Sequence, residues 1–140
     1  MEIGKLMEMV DNSLAGDYPN TEQKTARLYA IDENGNAEIA GEHGDVYELL
    51  DNPLSSLVAK MSHAVAVETC GWAAPVAQDD DDEMVAPSQH PQRRRVRLFA
   101  VHNGNGFASA LRFGDDWLNP VYDYGDAQGN LADAIASLYE

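Results

Sequence analysis

The chain has 140 residues, with nine Lys or Arg against 24 Asp or Glu, a formal net charge of −15 and an isoelectric point near 4.3. That length makes one domain able to bury roughly two thirds of its unfolded surface. The charge excludes general binding to nucleic acid or anionic membranes, both of which need basic surface.

No apolar run approaches the roughly 18 residues that span a bilayer, and residues 1–14 are interrupted by Glu2, Lys5, Glu8 and Asp11, unlike a secretory leader. The lone Cys70 has no internal disulfide partner, which suits a reducing compartment. The expectation is a cytoplasmic protein with one domain over residues 1–140.

Ile3, Leu6, Met7, Val10 and Leu14 recur at helical spacing, predicting an amphipathic helix over residues 2–15 that docks on a sheet and stops at Gly16. Asp17-Tyr18-Pro19-Asn20 reads as a loop. Residues 24–31 then alternate, and Asn34-Gly35 marks a tight turn into residues 37–40. Such a turn puts Leu28, Ala30, Ala37 and Ile39 on one face and Arg27, Tyr29, Ile31 and Glu38 on the other. Residues 46–50 fit either a short strand or a turn of helix. Asn52 caps a second helix with Pro53 at its first position, and Leu54, Leu57, Val58 and Met61 form its one-sided apolar stripe.

From His63 the pattern alternates again, with Val65, Val67 and Thr69 on one face of a strand and Ala66, Glu68, Cys70 and Trp72 on the other. Residues 75–91 hold three prolines, four consecutive Asp and a following Glu, the composition of a mobile acidic loop. Residues 93–113 form a hairpin around Asn103-Gly104-Asn105-Gly106. With Gly104 and Asn105 at the tip, His102 faces Phe107, Ala100 faces Ser109, Leu98 faces Leu111 and Val96 faces Phe113; a turn at Asn105-Gly106 shifts the pairs by two and keeps the same side chains together. These make an apolar face. The opposite face carries Arg95, Arg97 and Arg112 beside Phe99, Val101, Ala108 and Ala110. Residues 115–129 read as an acidic connection pinned by Trp117, Tyr122 and Tyr124. A last helix starts at Asn130 as cap and buries Leu131, Ala134, Ile135 and Leu138.

The expected fold is α+β, a five- or six-stranded mainly antiparallel sheet with three helices packed on it. In element order this resembles the roadblock and profilin-like folds, a likeness of topology that carries no functional residue. Trp72-Ala73-Ala74-Pro75, His90-Pro91-Gln92-Arg93-Arg94-Arg95-Val96-Arg97, Leu111-Arg112-Phe113 and Leu131-Ala132-Asp133-Ala134 together resemble a group of small uncharacterised actinobacterial proteins. That resemblance spans the second half of the chain and implies a family without implying an activity.

Five of the nine basic residues lie in the hairpin, where no Asp or Glu falls between Arg93 and Phe113. A basic stripe on an acidic body is therefore expected. Arginines pair bidentately with carboxylates and phosphates, so Arg95, Arg97 and Arg112, with Phe99 adding apolar contact, are the candidate docking residues for an acidic partner. The competing reading pairs them with the chain's own carboxylates, which at exposed positions contributes about 0–1 kcal/mol. The run Asp79-Asp80-Asp81-Asp82-Glu83 lacks the spacing of a calcium loop and reads as a solvated tract, with a reversible lid over the arginines as its alternative.

Glu68, Cys70, His63 and His102 are the candidates for a metal- or cysteine-dependent site, although no His-Glu-x-x-His, paired Cys-x-x-Cys or Gly-x-Ser-x-Gly pattern accompanies them. The function expected is thus a non-enzymatic protein-interaction or regulatory module that binds an acidic protein partner or itself as a homo-oligomer, without cofactor, nucleic acid or membrane. The alternatives are an enzyme centred on Glu68 and Cys70, and an acidic mimic of a nucleic-acid backbone.

Overall fold

The computed structural model describes residues 2–73, 91–125 and 130–140. Apart from Pro91, the expected loop at 75–91 and its carboxylate run lie outside the described residues. The elements in chain order are α1 (Ile3–Ala15), β1 (Ala26–Ile31), β2 (Ala37–His43), α2 (Val46–Asp51), α3 (Pro53–Met61), β3 (Ala64–Ala73), β4 (Arg94–His102), β5 (Phe107–Phe113), β6 (Asp116–Asp123) and α4 (Asn130–Ala136), which runs into a 3-10 turn at Ser137–Tyr139. All strand pairs are antiparallel, in the order β2-β1-β3-β4-β5-β6. No described helix is long and apolar enough to cross a membrane.

Alternation along the strands gives the sheet two apolar faces. Leu6, Met7 and Val10 of α1 cover one of them, packing on Tyr29, Ile31, Ala64, Ala66, Phe99, Val101, Ala108 and Ala110. The other receives Leu49 and Leu50 of α2, Ala59 of α3, Ile135 of α4 and Leu138, against Leu28, Val65, Val67 and Ala100. Segment 46–50 is helical because Asp45 caps it, accepting the Tyr47 and Glu48 backbone N–H groups. Asn52 does the same for α3 through the Leu54 N–H.

Three expectations are corrected. The β1–β2 connection is wider than a two-residue turn, because the Asp32 carboxylate gathers the Asn34 and Asn36 N–H groups and the Asn36 amide while Gly35 takes φ 84°. Tyr29 therefore faces Ile39 and Ile31 faces Ala37, so Ala37 and Ile39 join the α1 side of the sheet. A one-residue change of register exchanges the faces. Residues 116–123 form a strand paired with β5, where a connection was expected. In the β4–β5 hairpin the register is that of the turn at Gly104-Asn105, but the arginine-bearing face is the deeper: Phe99, Val101, Ala108 and Ala110 are fully buried, whereas Leu98 and Leu111 are only half-buried.

The two outer strands are both irregular. Register breaks interrupt β1–β2 between Leu28 and Tyr29 and β5–β6 between Leu111 and Phe113. Pro120 removes a backbone donor from β6.

Candidate functional site

The expected arginine stripe turns inward. Arg97 and Arg112 are 2% and 3% exposed, and both close on Asp11, which is 0% exposed on α1. Arg97 Nη1 meets Asp11 Oδ1, and Arg112 donates from Nε and Nη2 to Oδ2 at 3.0 and 2.7 Å. Arg97 Nε donates at 2.7 Å to Glu68, whose other oxygen accepts the Tyr29 hydroxyl at 3.1 Å. Arg112 Nη1 and Nη2 also reach the Trp117 carbonyl and the Asn12 side chain, both at 2.8 Å.

Two cations and two anions thus compensate one another in the interior, as buried charges must. Arg97 Nη2 has no hydrogen-bond partner among the described residues. Burial, followed by the Glu68 charge, pushes the Tyr29 phenol up.

The remaining hairpin arginines are also engaged. Arg94 pairs with Asp115 and lies over the Phe113 ring, and Arg95 donates to Glu22 at 2.9 Å while stacking 4.6 Å from the centre of Trp72. As a correction, Arg97, Phe99 and Arg112 present no solvent-facing surface, because α1 covers them and supplies Asp11. Only Arg95 of the four expected docking residues is partly exposed. Asp11 itself was missed, read as an interruption of the apolar pattern. Its signal was position, since it continues the stripe of Gly4, Met7 and Ala15 at helical spacing.

The metal and cysteine candidates do not converge. Cys70 sits across from Arg97 on the α1 side of the sheet, with its thiol pushed up by burial and then by Glu68. His102 pairs with Val65 on the opposite face, five residues and about 16 Å along β3 from Cys70. His63 precedes β3 and is about 23 Å from Cys70 along an extended chain. Glu68 is the one member bound into the arginine network. Among the described residues no group of three or more His, Cys, Asp or Glu is placed to hold a metal ion.

An exposed apolar line runs along α3. Leu54, Leu57 and Met61, spaced i, i+3 and i+7, are 66%, 53% and 78% exposed. The helix rests on the body through its small side, with Ser55 and Ala59 buried. Ser55 Oγ donates to the Leu49 carbonyl at 2.6 Å, Ser56 Oγ to the Leu138 carbonyl at 2.8 Å and Lys60 Nζ to the Glu140 carbonyl at 2.9 Å. These bonds fix the rotation of α3 and turn its large apolar side chains outward. Sequence reasoning found the stripe but not its direction, for which Ser55 and Ala59 four residues apart were the available sign.

At the Met61 end the stripe opens into a cleft of ≈ 450 Å³. Met61, Ser62 and His63 line it from the end of α3, and Asp32, Glu33 and Glu38 from the β1–β2 hairpin. Hydrogen bonds from the Asn36 backbone and then its side chain hold the Asp32 carboxyl below its ordinary range. Glu33 and Glu38 are exposed, and neither has an ion-pair partner among the described residues. Compared with protein-family models, curated proteins and solved structures, the chain matches none.

Proposed function

We propose that the protein is a non-enzymatic interaction module that docks a protein partner on the outward stripe of α3. The observation supporting this is the exposure of Leu54, Leu57 and Met61 along one line of a helix held in that rotation by side-chain hydrogen bonds. Burying such side chains contributes about 1.5–3 kcal/mol each, enough to anchor a helix-in-groove or helix-on-helix contact. An acidic partner would have needed the arginines, whose charges are met within the chain. A second copy brings another −15 charge to the contact, which opposes homo-oligomerisation.

The test places a photo-crosslinking residue at Leu57 and, separately, at exposed Tyr18, and irradiates each variant in its native lysate. A discrete adduct formed at Leu57, absent at Tyr18 and lost on adding Leu54→Asp, is the expected result. Identical patterns at both positions would remove α3 as the docking face, and an adduct of twice the protein's mass would make the partner a second copy.

A further inference from the structure

Resting on the interaction reading above, we infer that the partner is a cationic amphipathic segment, laying apolar residues along α3 and placing a Lys or Arg side chain in the cleft beyond Met61. From Leu54 to Met61 the stripe is about 10 Å long. It ends where the cleft begins, so one segment reaches both. The cleft wall combines apolar surface at Ala30 and Met61 with the carboxylates of Glu33 and Glu38. Such a lining suits a side chain with a methylene stem and a charged head.

Charge selects the same occupant. Within residues 28–73 the sole basic residue is Lys60, against eight Asp or Glu. Lys60 is engaged with the Glu140 carbonyl, and two of the acids, Glu42 and Glu68, are bound to arginines. Glu48 and Asp51 on α2 are exposed as well, Glu48 beside His43. The carboxylate of Asp32 is committed to its own turn, leaving Glu33 and Glu38 as the acceptors that an incoming cation would meet.

The experiment uses fluorescence anisotropy of the full chain with three labelled synthetic helical peptides at physiological salt. One has a leucine stripe at i, i+3, i+4 and i+7 flanked by lysines, the second replaces those lysines with glutamates, and the third scrambles the first. The scrambled peptide measures attraction due to charge alone. The lysine-flanked peptide is expected to bind about tenfold tighter than either of the others, a difference of about 1.4 kcal/mol. In Glu33→Gln, Glu38→Gln the preference for lysine over glutamate should shrink severalfold, toward what the net charge alone supplies, while stripe-dependent binding remains. In Leu57→Asp, Met61→Asp binding of the lysine-flanked peptide should fall to the level of the scrambled one.

Equal affinity for lysine- and glutamate-flanked peptides, with both lost in Leu57→Asp, Met61→Asp, would overturn the cationic specificity and leave the docking face standing. A lysine preference unchanged in Glu33→Gln, Glu38→Gln would remove the cleft from the site. Undiminished binding by Leu57→Asp, Met61→Asp, or equal binding of the ordered and scrambled peptides, would overturn the docking face together with the inference.

Discussion

Asp11 illustrates how far burial changes the worth of an ion pair. Its carboxylate is the shared anion of two guanidinium groups with almost no solvent contact. Removing it leaves both without that counter-charge, and loss of one partner of a buried pair costs about 3–5 kcal/mol. Asp11→Ala should therefore lower unfolding stability by that amount in urea titration, whereas Asp115→Ala, which frees the exposed Arg94, should cost far less.

His102 and Tyr139 make a second residue-scale prediction, with opposite signs in acid and base. Their rings stack at 4.9 Å, and the Tyr139 hydroxyl donates to the His102 carbonyl. Burial lowers the His102 imidazole below its ordinary value of about 6.5. Its folded form prefers to be neutral, so its contribution to stability is present above about pH 6.5 and is lost as pH falls through the lowered folded value. Burial raises the Tyr139 phenol to about 12. That contribution is present below about pH 10 and is lost as pH rises toward about 12. Stability curves of His102→Asn and Tyr139→Phe against wild type should flatten at the acid and alkaline ends respectively.

At the scale of elements, α1 and α3 carry similar periodic patterns and yet present opposite faces to the sheet. In α1 Leu6, Met7 and Val10 point inward and take Asp11 with them, while Met9 and Leu14 stay exposed. In α3 Ser55 and Ala59 point inward with the half-buried Val58, while Leu54, Leu57 and Met61 remain outside. Periodicity shows that a helix has two sides, but which side is buried depends on how close the backbone comes to its neighbours. A double substitution Leu57→Asp, Met61→Asp should therefore leave stability within about 0.5 kcal/mol of wild type, as for other exposed positions. A loss of several kcal/mol in chemical denaturation would show that the stripe is part of the core.

The same reasoning explains what the sequence made legible. The two faces of β4–β5 followed from Asn-Gly-Asn-Gly and alternation alone, and α3 opened at Asn52-Pro53 as its cap chemistry requires. The β1–β2 faces were misassigned because Asp32 enlarges the turn, a side-chain effect outside the pattern of alternation. Strand β6 was hidden by Asp116, Asn119, Pro120 and Asp123, residues that weaken a strand pattern but are tolerated on an edge. The arginine stripe was recognisable, but its burial depended on contacts across 86 and 101 residues of sequence. No local pattern encodes them.

For the whole molecule, the inward network holds two basic and two acidic side chains and so leaves the net charge of −15 to the rest. The outer strands, broken in register and carrying Pro120, offer poor templates for another strand. On α3, by contrast, Leu54, Leu57 and Met61 stand exposed in one line. The path of the chain adds a consequence in time: α1 is synthesised before the strands it packs on, and its Asp11 must wait 86 residues for Arg97 and 101 for Arg112. During that interval Leu6, Met7 and Val10 lack the β4 and β5 surface that later buries them. Helix α1 can complete its docking only once β5 is made, and a nascent chain halted before β5 leaves part of that apolar face uncovered.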